Sequence, residues 1–529
     1  MNHFKILVIL RPIIITTHFG SSLSLNTLCS FSSASPKMVK DKEAPENPNL
    51  KSNKMFIGIV WNCVPELKLL LSALLFFCSL ITLFQFFPSH LSFSVQDLRH
   101  CASLPPPPVE IQHRQIKQED IILQGGVIKR NFNTYGTAAY NFVLMSAYRG
   151  GLNTFAVIGL SSKPLHVFAK PTYVCEWAPH NGTGNITVSG IKILPDWGYG
   201  RVYTVVVVNC TFPSPVGHDR SGGRLFIHAS TSGGGDANFN LTDTIEAVEE
   251  APESLNPAQF TSPPKYDYLY CGSSLYGNLS PQRIREWIAY HVKMFGEKSH
   301  FVIHDAGGVH PDVMAVLRPW IEKGYVTLQD IREEERFDGY YHNQFLIVND
   351  CLHRYRFMAN WMFFFDVDEF IFVPKKSTLK TVMDSLSEYT QFTIEQRTIS
   401  NKLCYLDDHP GKIYRKWGIE KLVYRDMVRG IRRDRKYAVQ PRNVFATGVH
   451  MSENTVGKTT HNTEGKIMYY HYHGTISERR EPCRQLVNTT EMKVGGTPYR
   501  VDTTMREVAG AVKRFEMRMV GSALLTTRQ

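Results

Sequence analysis

Three carboxylate side chains, those of Asp366, Asp368 and Glu369, follow directly after the apolar segment 361–365. That segment is apolar at every position, which predicts a strand buried on both faces, as in the centre of a parallel sheet. Asp366 and Asp368 would point to the same side at its carboxyl end. Carboxylates placed there can chelate a hard divalent cation that in turn binds a diphosphate. This arrangement favours transfer of a sugar from a nucleotide; the plainer alternative is an acidic turn that faces water.

The elements before this strand alternate between strand and helix. Strands are predicted at 266–271, 300–304, 325–328 and 361–365, and helices at 281–295, 311–323 and 341–353. A βαβαβαβ order predicts a parallel sheet with right-handed crossovers. The carboxyl ends of its strands would share one edge, which is where nucleotides bind in such sheets.

Polar residues occupy this predicted edge. Ser273 and Asp305 follow two of the strands, and Asn343 and Gln344 lie near the start of the helix before the acidic strand. We predict that these four residues bind the nucleotide of the donor.

A second constraint is an apolar segment near the N-terminus. Residues 69–87 carry no charged side chain, and about 19 helical residues at about 1.5 Å each are enough to cross a bilayer. Lysines precede the segment and only Arg99 follows closely, so the N-terminus is predicted to be cytosolic. We expect a type II membrane protein with a tail at 1–66, a signal anchor at 67–87 and a stem at 88–109. Residues 1–37 are given no structural role, because a chain starting at Met38 would already contain tail and anchor.

The composition after the anchor suits a secretory lumen. Seven of the ten cysteines lie there, an odd number whose pairing the sequence leaves open. A net charge of +11 and a pI near 9.0 would suggest nucleic acid for a nuclear protein. In a lumen they indicate nucleotide diphosphates and acidic polysaccharides, so no nucleic-acid partner is expected. N-glycosylation triplets all follow the anchor and begin at Asn181, Asn185, Asn209, Asn240, Asn278 and Asn488.

Two lumenal domains are expected. Residues 110–245 hold short strand-like segments separated by turn signals, which is typical of a β-sandwich. This domain could bind carbohydrate through Trp177 and Trp197, or it could pack against the catalytic domain with both tryptophans in a core. An acidic, proline-rich linker at 246–264 precedes the catalytic domain at 265–529.

Four features together resemble glycosyltransferase family 92. They are the acidic strand end, the helix segment His342–Cys351, the segment Lys436–Val444 followed by Gly448 and His450, and the segment Tyr470–His473. The context of the anchor narrows the resemblance to the plant galactan β-1,4-galactosyltransferases. It extends over nearly the whole chain from about Lys51 onward.

This resemblance implies an α/β GT-A fold and inverting transfer from UDP-galactose to β-1,4-galactan side chains of pectic rhamnogalacturonan I. It also implies Mn²⁺ as cofactor and a location in the Golgi membrane, and a homodimer is compatible with it. Asp366 and Asp368 match the metal motif of the family, and His471 matches a further metal position. His473 stands where many relatives carry arginine, so which histidine coordinates is left open; taken alone, both could be core histidines.

Inversion in a single displacement also needs a base for the acceptor hydroxyl. Glu420 is the candidate, because it follows Trp417, a ring that could stack on a sugar. Asp407, Asp408 and Asp426 compete with it.

Other classes remain as alternatives. A glycosidase would need carboxylates about 5 to 9.5 Å apart on different elements, which Asp366 and Asp368 do not fit. A non-catalytic lumenal lectin would bind Ca²⁺ with six to eight oxygens, more than this acidic cluster visibly supplies. A transferase that uses another UDP-sugar is the remaining alternative.

Overall fold

The computed structural model describes residues 121–122, 127–129, 141–162, 171–195, 203–232, 240–333, 340–406, 416–428, 435–477, 483 and 485–521. The predicted anchor at 67–87, Cys101, Trp197, Asp407 and Asp408 lie outside these residues. Among the described residues, no helix is both long and apolar enough to span a membrane.

The strands are β1 (Ile121–Ile122), β2 (Val127–Lys129), β3 (Phe142–Arg149), β4 (Thr154–Ser162), β5 (Thr172–Pro179), β6 (Ile186–Ile193), β7 (Tyr203–Thr211), β8 (Gly223–Ser232), β9 (Asn240–Glu250), β10 (Tyr266–Leu275), β11 (Ser299–Asp305), β12 (Val326–Asp330), β13 (Ala359–Phe364), β14 (Glu369–Phe372), β15 (Gln391–Thr398), β16 (Leu403–Tyr405), β17 (Tyr424–Asp426), β18 (Lys436–Val439), β19 (Val444–Ala446), β20 (Asn454–Thr455), β21 (Thr459–Thr460), β22 (Met468–His471), β23 (Gln485–Val487), β24 (Glu491–Val494) and β25 (Thr497–Val501).

The α-helices are α1 (Pro281–Phe295), α2 (Pro311–Glu322), α3 (Gln344–Arg354), α4 (Leu379–Asp384), α5 (Gly418–Lys421) and α6 (Thr504–Val520). Short 3₁₀ turns occupy Pro257–Phe260, Tyr340–Asn343 and Pro441–Asn443.

The larger sheet confirms the predicted parallel order. Strands β12, β11, β10 and β13 are neighbours in that order, and every pair is parallel. All residues of β11 are buried, and the side chains of β13 are buried apart from Asn360, because helices cover the sheet. The carboxyl ends of these strands therefore share one edge, as the alternating sequence pattern predicts.

The other half of this sheet is not parallel throughout. β18 lies antiparallel between β13 and β15, and β22 then pairs in parallel with β15 and antiparallel with β14. The local sequence pattern does not predict this half, because its strands come from distant segments of the chain. β2 also joins the opposite edge beside β12, so part of the range 110–245 belongs to the catalytic sheet.

Helix α3 begins three residues later than predicted. Tyr341, His342 and Asn343 have φ angles of 49°, 50° and 56°, in the left-handed region that side chains with a Cβ rarely adopt. The right-handed helix can start only at Gln344. The short left-handed turn therefore sets where the helix begins.

The N-terminal β-domain contains seven antiparallel strands, in the order β3-β4-β7-β6-β5-β8-β9. Strand β6 joins two halves of this order, because residues 186–190 pair with β5 and residues 191–193 pair with β7. Side chains from both halves pack together in the core of the domain. Its apolar core includes Trp177, which is 1% exposed and stacks on Phe155 with ring centroids 5.5 Å apart. Trp177 is therefore a core residue, and its reading as a carbohydrate platform is wrong. A disulfide between Cys175 and Cys210 crosses the same core.

The β-domain packs against the catalytic sheet through α3. Apolar residues of β3, β4 and β7 share one buried cluster with Leu346, Ile347 and Cys351. Asp350 of α3 is fully buried and accepts hydrogen bonds from Ser146 at 2.7 Å and Tyr148 at 2.6 Å. The helix that precedes the acidic strand is thus held from both sides.

Three disulfides settle most of the pairing that the sequence left open. Besides the bond in the β-domain, Cys271 of β10 pairs with Cys351 of α3, and Cys404 pairs with Cys483. The bond from Cys271 ties α3 to the central strand of the parallel half.

We expect Trp177→Ala to lower the free energy of unfolding by about 3–5 kcal/mol, because a fully buried indole leaves a cavity. Urea unfolding of the purified protein measures this. Leu152→Ala, at a surface position of the same domain that is 39% exposed, should change it by about 0.5 kcal/mol or less. Unchanged stability of the Trp177 variant, with a loss of carbohydrate binding, would contradict a core role.

His291 makes folding depend on pH. Its Nδ1 donates to Trp287 O at 2.9 Å, and its Nε2 accepts from Ile371 N at 3.2 Å, so the buried ring must be neutral. Burial lowers the pKa of His291 from 6.5 to about 3. The unfolded state therefore binds more protons below pH 6.5, and stability is lost as the pH falls, at about 1.4 kcal/mol per pH unit for this group.

Urea unfolding between about pH 7 and about pH 5 tests this. We expect His291→Gln, which does not titrate, to show a shallower loss of stability on acidification than the unsubstituted protein. Identical slopes for the two proteins would show that His291 does not contribute.

Candidate active site

The acidic segment connects the carboxyl end of β13 to the start of β14. Glu369 of β14 is directly opposite His471 of β22. This register brings the histidine to the carboxylates: His471 Nε2 lies 3.6 Å from Asp368 Oδ1, and its Nδ1 lies 3.9 Å from Glu369 Oε1. Burial lowers the pKa of His471, but the carboxylates, Asp368 first, raise it above its ordinary value.

Asp368, His471 and His473 form a group whose ligand atoms all lie within 4.8 Å of one another. The backbone after β22 closes on the same aspartate: Tyr472 N donates to Asp368 O at 2.9 Å, and Gly474 N donates to Asp368 Oδ2 at 3.2 Å. One carboxylate and two imidazoles are ligands that Mn²⁺ accepts. These three residues fit a divalent cation, and both histidines of the sequence analysis belong to the group.

Asp366 makes different contacts. Lys436 Nζ lies 2.8 Å from Asp366 Oδ2, and Gln344 Nε2 donates to Asp366 Oδ1 at 3.1 Å. Burial would raise the pKa of Asp366, but Lys436 lowers it below its ordinary value. The pKa of Lys436 is raised in turn, because Asp366 and Glu369 outweigh the effect of its burial. The two residues form an ion pair, so both oxygens of Asp366 already have protein partners.

Glu369 is the third carboxylate of the site and is 1% exposed. Burial, opposed by Lys436 and supported by Asp366, raises its pKa to about 8. Its Oε2 accepts from Asp366 N at 2.7 Å and lies 3.8 Å from Lys436 Nζ. Glu369 therefore acts as a buried anchor for the backbone of the acidic turn.

Of the four predicted nucleotide-binding residues, only Gln344 contacts the acidic segment directly among the described residues. Gln344 contacts Asp366, and Asn343 next to it is buried with its Nδ2 unpaired among the described residues. Asp305 Oδ1 accepts from Gly307 N and Val309 N, and so closes the loop after β11. Ser273 is half-buried at the end of β10.

An aromatic stack at the same edge was not foreseen from sequence. The ring of Tyr276, which is 50% exposed, lies 3.7 Å from the ring of His342, centroid to centroid. Burial raises the pKa of Tyr276, and the negative charges of Asp366 and Asp368 raise it further.

Glu420 makes its contacts in another environment. It accepts from Trp417 N at 2.6 Å as the cap of α5 and pairs with Lys513 of α6. Trp417 is 3% exposed and packs under Arg285 and Lys513. Its ring is therefore part of the core and is not a surface for sugar stacking.

Two residues of the site went unassigned at the sequence level. Lys436 is 3% exposed and is the first residue of β18. A lysine directly before the apolar segment 437–439 was the sequence feature that could have identified it. Gln396 of β15 is hydrogen-bonded to His471 Nδ1. No local signal identifies Gln396, because only the pairing of β15 with β22 brings it there.

The model of glycosyltransferase family 92 matches residues 266–507, which contain every residue of this site. The chain belongs to glycosyltransferase family 92. It is 58% identical to the galactan beta-1,4-galactosyltransferase GALS3 of Arabidopsis thaliana, over 93% of this chain and 100% of that protein.

Two further relatives show how far the similarity extends. The galactan beta-1,4-galactosyltransferase GALS2 of Arabidopsis thaliana is 58% identical over 91% of this chain and 99% of its own length. The beta-1,4-galactosyltransferase galt-1 of Caenorhabditis elegans is 27% identical over 44% of this chain.

We expect Lys436→Met to lower the free energy of unfolding by about 1–3 kcal/mol, because it removes a buried cation and leaves Asp366, whose side chain is 30% exposed, without its counter-charge. Lys380→Met is the matched control: its pair with Asp384 is 77% and 63% exposed, and such pairs contribute about 1 kcal/mol or less. Denaturant unfolding of both variants measures the difference. Equal and small losses would mean that Lys436 does not stabilise the acidic turn.

Proposed function

We propose that this protein is an inverting, Mn²⁺-dependent galactosyltransferase that moves galactose from UDP-galactose to β-1,4-galactan. The observation that carries the proposal is the group Asp368, His471 and His473 at the carboxyl edge of a parallel sheet. Two relatives named galactan beta-1,4-galactosyltransferases, each 58% identical over more than nine-tenths of this chain, support the galactosyl group and the acceptor.

The catalytic domain is proposed to have the GT-A fold. Support comes from the sheet, in which β12, β11, β10 and β13 are parallel and β18 lies antiparallel between β13 and β15. The acidic turn follows β13, in the middle of the sheet, so a nucleotide bound at the ends of β10 and β11 would present its diphosphate there.

Each residue of the site has a role in this proposal. Asp368, His471 and His473 would hold the metal, and Mn²⁺ bound there would supply the positive charge that stabilises the leaving diphosphate. Asp366 was predicted from sequence as a second metal ligand, but its two carboxylate oxygens contact Lys436 and Gln344. It would therefore support the metal site by fixing the acidic turn.

Inversion requires the acceptor hydroxyl to attack the anomeric carbon from the face opposite the diphosphate, while a base removes its proton. Glu420 remains the base proposed from sequence, although Lys513 already pairs with its carboxylate. Asp426 also has a local contact, since it accepts from Val428 N at 2.7 Å.

We further propose a type II Golgi membrane protein that builds the galactan side chains of pectic rhamnogalacturonan I. The three disulfides support an oxidising lumen. The glycosylation acceptors Asn181, Asn185 and Asn488 are exposed, which is what modification in that lumen requires.

Release of UDP tests the proposed reaction. Purified protein should release UDP when UDP-galactose, a galactan oligosaccharide and Mn²⁺ are all present, and chelation of the metal should stop it. UDP-glucose in place of UDP-galactose tests the alternative donor. Asp368→Asn should reduce turnover by about 100-fold or more, because an amide of equal size cannot supply the charge of the ligand.

The control for this variant is Asp384→Asn, which removes a carboxylate that pairs with Lys380 on the surface; its turnover should be unchanged. Binding of galactan without any UDP release would favour the lectin alternative. Full activity of the Asp368 variant would overturn the metal assignment.

A further inference from the structure

His473 has an exposed side chain, whereas Asp368 and His471 are half-buried. Its position therefore depends on the backbone that carries it. That backbone is the His473 turn, residues 472–475, in which Thr475 N and Thr475 Oγ1 both donate to Tyr472 O at 3.1 Å and 2.7 Å. The turn binds Asp368 through the two backbone N–H groups described above.

The His473 turn is also held from the protein interior. Arg283, the third residue of α1, is 4% exposed, and its Nη2 donates to Thr475 Oγ1 at 3.0 Å. Its guanidinium lies 5.2 Å from the centre of the Tyr472 ring. A buried cation thus contacts both ends of the four-residue turn.

Arg283 is itself fixed by Glu286, one turn further along α1. Arg283 Nη1 lies 2.8 Å from Glu286 Oε2, and Glu286 is fully buried. The same carboxylate accepts from Gly418 N at 2.8 Å and Ile419 N at 3.0 Å. With its partners on several sides, the guanidinium has little freedom to move, so it can act as a rigid support.

The support that Arg283 gives to the His473 turn affects the metal-ligand atoms of Asp368 and His473. Gly474 N donates a hydrogen bond to Asp368 Oδ2, whereas Asp368 Oδ1 is the oxygen that faces His471. A shift of the His473 turn would move His473 and would also change which oxygen of Asp368 is available. Residues behind metal ligands commonly control metal affinity in this way.

We propose that Arg283, acting through Thr475, is a positioning residue that orients His473 and Asp368 for the divalent cation. The proposal rests on the proposed metal site and adds the residues that preorganise it. Neither residue is expected to touch the metal or the substrates.

Binding of Mn²⁺ to the purified full chain, followed by the paramagnetic resonance signal of the free ion, tests this without turnover. Thr475→Val has nearly the same shape but can neither accept from Arg283 nor donate to Tyr472 O. We expect it to weaken Mn²⁺ binding by about 10-fold to 100-fold. Thr475→Ser keeps the hydroxyl and should restore affinity to within about threefold, since a hydrogen bond that supports a metal ligand from behind depends on the polar group.

Thr463→Val is the matched control. Thr463 is 1% exposed and donates to Thr393 O at 2.7 Å, so its substitution also removes a buried hydroxyl, but outside the His473 turn. Melting curves of both valine variants should show similar losses of stability, while only Thr475→Val should lose Mn²⁺ affinity.

Two results would overturn the proposal. If Thr475→Val binds Mn²⁺ as tightly as the unsubstituted protein, or if Thr463→Val weakens binding equally, Arg283 does not position the ligands. Asp368→Asn separates this from failure of the metal site itself: an affinity for Mn²⁺ unchanged by that variant would reject the proposed site, and the role of Arg283 with it.

Discussion

The ion pair between the buried Lys436 and the half-buried Asp366 is the interaction on which the site depends. Asp366, Asp368 and Glu369 lie within four residues of one another, and a cluster of uncompensated carboxylates in a desolvated place would be costly. Lys436 supplies one positive charge to Asp366, and the raised pKa of Glu369 favours its neutral form. Asp368 is left as the carboxylate that faces the two histidines. The carboxylate of Asp368 and the two imidazoles are therefore the side chains that a divalent cation would meet.

The position of this ion pair depends on contacts that extend through both domains. Gln344, which donates to Asp366, is the first residue of α3. α3 is linked to β10 by the disulfide of Cys351, and it is packed under the β-domain through Asp350. The β-domain thus stabilises the helix that contacts the acidic turn, in addition to any binding role of its own.

Aromatic residues gave the least reliable sequence signals. Trp177 and Trp417 were both considered as surfaces for sugar, and both are core residues. Large rings bury more apolar area than other side chains, so a tryptophan in a protein with two sizeable cores is more often packed than exposed. An exposed ring near the site belongs to Tyr276, which lies in a loop without any distinctive pattern.

The sequence by itself determined the parallel half of the sheet, the helices between its strands, and the position of Asp366 and Asp368 at the carboxyl end of β13. These follow from local periodicity, because a strand buried on both faces is apolar at every position and a helix has its own spacing. His471 and His473 were indicated only by the resemblance to the family, since the residues alone fitted two core histidines equally well. Only the tertiary structure decided that Asp368 and both histidines share one group while Asp366 pairs with Lys436. Those contacts join segments 70 to 106 residues apart, and a pattern within one segment holds no information about which distant strand will lie beside it.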